Sequence, residues 1–276
     1  MGEKRSVFKK IYGRTGRHRS TFFVYLFLRL CLYALSLYFL FSGKYKGIFY
    51  CATAFLLFLL PFITEAVASV ELPAPLEIAV LLFIFCSVIL GEAAAFYVNV
   101  PLWDSLLHTF SGFLCAGIGF SLAELLNRRR RVSALSPLFL AVVAFSFAMT
   151  IGVLWEFFEF FADVVLHTDM QKDFIVDRLW SVALDPSKSN TVVGVEGVAR
   201  TVLYGENGEI LAEIEGGFLD AGVIDTMKDL ILNFLGALVF TLVAFFTDGK
   251  KSGERFLSLF VPRAAEGAKG AEREKM

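Results

Sequence analysis

Apolar residues in this chain fall in long blocks, not in alternation. Six blocks run at about 21–42, 47–69, 76–98, 105–126, 136–165 and 224–247. A helix rises 1.5 Å per residue, so about 20 apolar residues cross a hydrocarbon layer of roughly 30 Å. Each block therefore predicts a membrane-spanning helix. The fifth, at roughly 45 Å by the same rise, should tilt or project beyond the hydrocarbon. The fold class expected is an all-α integral membrane protein of about six spans. The block Thr21 to Ser42 is too long for a signal-peptide core and precedes no small-x-small cleavage site, so it reads as an uncleaved first span.

Composition agrees with the pattern. Of 276 residues, 57% are hydrophobic and 19% charged, which is too apolar for an ordinary soluble domain. A net charge of -1 excludes a global basic field for nucleic acid. Cys31, Cys51, Cys86 and Cys115 all lie in apolar blocks without C-x-x-C spacing, so neither a disulfide framework nor a zinc ribbon is expected.

Basic residues orient the blocks, because Lys and Arg accumulate in short cytoplasmic loops. One cluster precedes the first block, from Lys4 to Arg19; another, Arg128 to Arg131, follows the fourth; Lys250, Lys251 and Arg255 follow the sixth. Six spans with both ends inside satisfy all three. Lys44 and Lys46 in the first outer loop disagree weakly. The expected organisation is a basic cytoplasmic N-terminus at 1–20, a membrane domain at 21–247 and a polar cytoplasmic tail at 248–276. One large extracytoplasmic loop, 167–223, lies within it. In that loop Arg200 to Tyr204 and Glu209 to Ile214 are β-compatible runs around Asn207-Gly208, the composition of a β-hairpin. In the tail, Arg255 to Pro262 is compatible with a short interfacial segment.

Ionisable groups inside spans are costly, by about 2.5–3.5 kcal/mol each at a helix centre on insertion scales. Here they are grouped. Asp104 and His108 are four residues apart at the start of the fourth span, followed by Ser111 and Gly112. Glu156, Glu159, Asp163 and His167 follow one stripe at the end of the fifth. Asp225, Asp229 and Asn233 share a face at the start of the sixth, and Glu92 lies near the end of the third. With the orientation above, all fall in the outer half of the membrane. Asp104, Asp163 and Asp225 would be outermost; His108, Glu159 and Asp229 one turn deeper; Ser111, Glu156 and Asn233 deeper again.

Carboxylates this close raise each other's pKa unless they share protons, meet a basic group or bind a cation. His108, His167 and Lys228 are the local basic groups. The candidate metal ligands are Glu92, Asp104, His108, Glu156, Glu159, Asp163, Asp225 and Asp229, with Ser111, His167 and Asn233 beside them. His108 and Glu159 are the candidate acid/base residues. Oxygen ligands with an imidazole suit zinc or manganese, and oxygen alone suits magnesium or calcium. The plainer alternative is that these acids face water at helix ends, where Asp104 and Asp225 also suit helix N-termini. Arg29 in the first span is a further intramembrane charge that could partner Glu92. Glu65, Glu77 and Glu124 read as solvated groups toward cytoplasmic ends.

Five strings fall in order: Leu90-Gly91-Glu92, Trp103 to Gly112, Trp155-Glu156-Phe157-Phe158-Glu159, Asp169-Met170-Gln171 and Asp225 to Leu230. Over residues 75–240 they resemble the YjdF-type family of bacterial membrane-spanning proteins. The Asp…His, Glu, Asp…Asn layout also echoes the VanZ-like family, with different spacings and loops. The resemblance implies a multi-pass protein of the bacterial plasma membrane and names no reaction.

Three functions follow as expectations. The first is a metal-dependent hydrolase or transferase acting on envelope lipids or glycans. The second is a small cation- or proton-coupled transporter, against which the inner halves of the fifth and sixth blocks, Leu138 to Ala148 and Leu235 to Phe246, are almost wholly apolar. The third is a non-catalytic envelope factor whose loop binds a protein partner.

Overall fold

The computed structural model describes residues 19–68, 70–129, 135–247 and 249–264. The basic residues Lys4 to Arg17 and Arg130 and Arg131 lie outside the described residues, as does the tail beyond 264. Six described helices are long and apolar enough to cross a membrane: Arg19–Phe41, Tyr45–Val67, Ala74–Ala93, Trp103–Asn127, Pro137–Leu166 and Val223–Phe246. They coincide with the six apolar blocks to within a few residues.

Contacts divide the chain into two units, Met1–Ile151 with Leu232–Met276, and Gly152–Ile231. In the first unit, α1 (Arg19–Phe41) is followed by α2 (Tyr45–Leu57) and α3 (Leu60–Ala68). The second apolar block is thus broken at Phe58-Leu59. Pro61 explains the break, since it has no amide to donate back along the helix. Strand β1 (Val70–Glu71) leads to α4 (Ala74–Ile84), which widens into a π-helical stretch, Phe85–Ala93. Gly91 is needed in that stretch, because a Cβ there would run into the Tyr97 ring. The short α5 (Phe96–Asn99), the long α6 (Trp103–Arg129) and α7 (Pro137–Leu166) follow.

Two apolar clusters hold this unit. One joins α1, α2 and α4 through Leu28, Leu32, Cys51, Ala54 and Leu81. The other joins α6, α7 and the last transmembrane helix, α8 (Val223–Phe246), through Ala116, Phe120, Ala144, Ala148, Ala237 and Phe240. Small residues let the backbones approach, which is how helices associate where lipid already solvates apolar side chains. At the closest point a Cβ on Gly112 would overlap the Asn233 carbonyl, and one on Gly236 would overlap the Thr109 carbonyl.

The chain then returns. Beyond α9 (Lys251–Leu257), Phe260 is buried against Phe113, Phe240 and Phe256. The Ser121 hydroxyl donates to the Phe260 carbonyl at 2.7 Å, and β8 (Arg263–Ala264) pairs antiparallel with β1. Phe260, Val261 and Pro262 are all buried.

The second unit comprises the end of α7, the start of α8 and the residues between. Those residues form β2 (Ile175–Val176), β3 (Leu179–Ser181), a 3-10 turn (Val182–Leu184), β4 (Val193–Val195), β5 (Arg200–Tyr204), β6 (Ile210–Glu215) and β7 (Phe218–Leu219). The pairs are β2–β7, β3–β4 and β5–β6, all antiparallel. Asp185 organises the segment between β3 and β4. Its two oxygens accept from the amides of Ser187, Ser189 and Thr191 and from the hydroxyls of Ser187 and Ser189. These bonds, led by the Ser187 hydroxyl, hold the carboxyl below the ordinary carboxylate range.

Candidate functional site

In the first unit the helical offset sets Asp104 beside His108, with Nε2 3.4 Å from Oδ1. Both side chains are largely covered. Trp103 packs edge-on against Phe96 at the head of the same helix. The hydroxyls of Thr109 and Ser111 donate to the carbonyls of Ser105 and His108, so Ser111 offers a ligand only its lone pairs. Glu92 is exposed at the end of the π-helical stretch and neighbours the Tyr50 hydroxyl. Arg29 lies over its own helix neighbour Tyr25, 4.3 Å from the ring centroid. Glu65 accepts from the Leu72 amide at 2.8 Å, and Glu124 from Asn127 at 3.3 Å. Asn233 donates to the Ala148 carbonyl at 3.3 Å and lies 3.6 Å from the Met149 sulfur. It thereby joins α8 to α7 as well as to Gly112 of α6.

The second unit holds the denser acidic set. Glu156, Glu159, Asp225 and Asp229 are 4%, 8%, 3% and 2% exposed. Glu159 accepts from the Trp155 indole at 2.8 Å. The donor role of that tryptophan leaves no trace in the sequence beyond the i, i+4 spacing. Lys228 places its ammonium 3.2 Å from Asp225 and 3.9 Å from Asp229. One positive group thus stands close to two buried carboxylates on successive turns of α8.

Asp163 does something different from its neighbours. Its oxygens accept from the Thr168 hydroxyl and from the amides of Met170 and Gln171, at 2.7–2.8 Å. It ties the chain leaving α7 back onto that helix. The next amide, Lys172, donates to Asp225 at 3.0 Å, and the Gln171 side chain donates to Thr226 at 2.6 Å. The ends of α7 and α8 are thereby bound to the same three-residue stretch. His167 is exposed with φ 54°, in the left-handed conformation that ends many helices, and marks the turn out of α7.

Asp220 was not anticipated. It accepts from the amides of Phe174 and Ile224, both at 2.7 Å, and from Gly222 at 3.4 Å. Desolvation pushes its carboxyl up, but the three amides more than offset that and hold it below its ordinary value. An aspartate just ahead of a helix, in a loop with Gly216-Gly217 and Gly222, is the signal that could have found it.

Apolar helices of spanning length, with ionisable groups gathered toward particular helix ends, define a multi-pass membrane protein. Residues 24–250 match the family described as "Predicted membrane protein (DUF2238)", and the chain belongs to that family. It is also similar to an "Uncharacterized protein" of Thermotoga maritima, 26% identical over 106 residues, covering 38% of this chain and 53% of that protein. The chain thus matches about half the length of that curated relative. No solved structure matches.

Proposed function

We propose that this is a protein of the bacterial plasma membrane, with both ends in the cytoplasm, that binds a divalent cation in the outer half of its helices. Asp225 and Asp229 are the ligands at its centre. Glu156 and Glu159 of the same unit contribute. The observation that carries this reading is the ammonium of Lys228, close to two nearly inaccessible carboxylates. A positive charge is already accommodated there, and a divalent ion would offset the cost of burying the acids more strongly than one ammonium does.

The chemistry that follows is metal-assisted hydrolysis or group transfer on an envelope lipid or glycan. Glu159 would move the proton, and the aspartates would hold the ion. Elemental analysis of purified protein tests the first step. Near-stoichiometric zinc, manganese, magnesium or calcium in the wild type, lost in Asp229→Ala, is the expected result. Equal metal in both, or none in either, removes the cation reading.

A further inference from the structure

We infer that the β2–β7 strand pair and its flanks form a ledge that contacts the lipid of the bilayer. This is independent of any bound cation. The ledge residues are Phe174, Ile175, Leu219, Val223, Ile224 and Met227, which are 39–62% exposed. In a soluble loop so many large apolar groups would meet water at a cost of about 25 cal/mol per Å².

Continuity with a lipid-facing surface identifies the occupant. Met227 is exposed on α8, a helix of spanning length and composition. One turn earlier Val223 and Ile224 continue the apolar surface. The Asp220 carboxylate then joins α8 to the strand pair, because it accepts from the amides of Ile224 and Phe174 at once. Ile175 lies opposite Leu219 in the ladder, so these two share one face of the pair. Val176 and Phe218, on the other face, are half-buried. Lys228 sits 5.9 Å from the Phe174 ring centroid, which holds that ring beside α8.

Two further features suit the membrane boundary. Backbone polar groups near hydrocarbon must be satisfied within the protein. Here the Phe174 amide goes to Asp220, the Asp220 amide goes to the Phe174 carbonyl at 3.1 Å, and the ladder takes the next residues. The ledge is also flanked in sequence by exposed charge, Asp173 before it and Arg178 beyond it. An apolar strip bordered by charge is the chemistry of an interfacial segment.

Spin labels at Ile175→Cys and Leu219→Cys test this in lipid nanodiscs. The background replaces Cys31, Cys86 and Cys115 and keeps the buried Cys51. Val239→Cys, exposed midway along α8, serves as the lipid reference and Glu206→Cys as the water reference. The expected result is relaxation by oxygen several-fold stronger than by a water-soluble nickel chelate at both ledge positions, as at Val239. Nickel-dominated relaxation, as at Glu206, would overturn the ledge. Low access to both reagents would also overturn it, by placing protein or a second copy there. If the labelled variants do not fold, Ile175→Trp with Trp103, Trp155 and Trp180 changed to Phe decides the matter. Quenching by brominated lipid supports the ledge, and its absence overturns it.

Discussion

Asp163 and Asp225 accept hydrogen bonds from consecutive backbone amides, Gln171 at 2.8 Å and Lys172 at 3.0 Å. The end of one spanning helix and the start of another are therefore clamped onto one short stretch of chain. Asp163→Asn would keep a single acceptor oxygen and lose the charge. Hydrogen bonds to charged groups contribute about 1.5–3 kcal/mol each, so local opening should rise about tenfold or more. Hydrogen exchange at the Met170 and Gln171 amides measures it. Unchanged protection would mean the carboxylate is not what holds the turn.

Lys228 offers a finer reading of the cation proposal. An ammonium 3.2 Å from Asp225 competes with any ion that uses the same oxygens. Lys228→Met keeps the bulk and removes the charge. Its affinity for manganese or zinc should exceed that of the wild type by about three- to fivefold, within the limit of about 1 kcal/mol for one partly exposed charge pair. Titration calorimetry in detergent decides it, with Asp229→Ala as the blank. Equal or weaker binding in Lys228→Met would show that the lysine supports the ion instead of opposing it.

The contact between α6 and α8 leaves no room for side chains at Gly112 or Gly236. A substituent at Gly236 meets backbone of the facing helix, which cannot rotate away. Gly236→Val should cost about 3 kcal/mol or more, the upper end of overpacking penalties. Ala52→Val, at an exposed position of α2, is the control for bulk. Thermal unfolding in a fixed detergent should separate the two by many degrees.

Asp185 makes the loop sensitive to acid. Its folded-state carboxyl titrates below the ordinary value, led by the Ser187 hydroxyl bond. The stabilisation it contributes is therefore complete above the unfolded pKa of about 4 and is lost as pH falls through the lower, folded value. Protection of the Ser187, Ser189 and Thr191 amides, measured relative to Asp185→Asn, should be level from neutral pH down to about 4 and decline below it. A decline beginning near neutrality would point to a different group.

The spans were legible because length and apolarity are local properties. Each block from Thr21 to Phe246 needed only counting against membrane thickness. The stripes in α6, α7 and α8 were legible for a similar reason, since helical periodicity puts Asp104 with His108 and Asp225 with Asp229 on common faces. The bonds that fix the α7–α8 connection were hidden because their donors are backbone amides, at Met170, Gln171 and Lys172, which every residue but proline possesses. The strand pairs β2–β7 and β3–β4, two and three residues long, are too short for alternation to register. Phe260 was hidden by its neighbours. The apolar run Phe256 to Pro262 is too short to span and reads as an interfacial segment, until Gly117 and Phe240 are seen to receive the Phe260 ring.

That returning segment carries a consequence for biogenesis. Gly117, Ser121 and Phe240 meet a ring and a carbonyl encoded after the final spanning helix. A ribosome delivers those atoms late, after all six hydrophobic stretches have been synthesised. Insertion can proceed helix by helix, but closure of the first unit is postponed until translation has passed Phe260. Premature termination at Lys250 would therefore leave a full complement of inserted helices around an unfilled aromatic socket, a ready substrate for quality-control proteolysis.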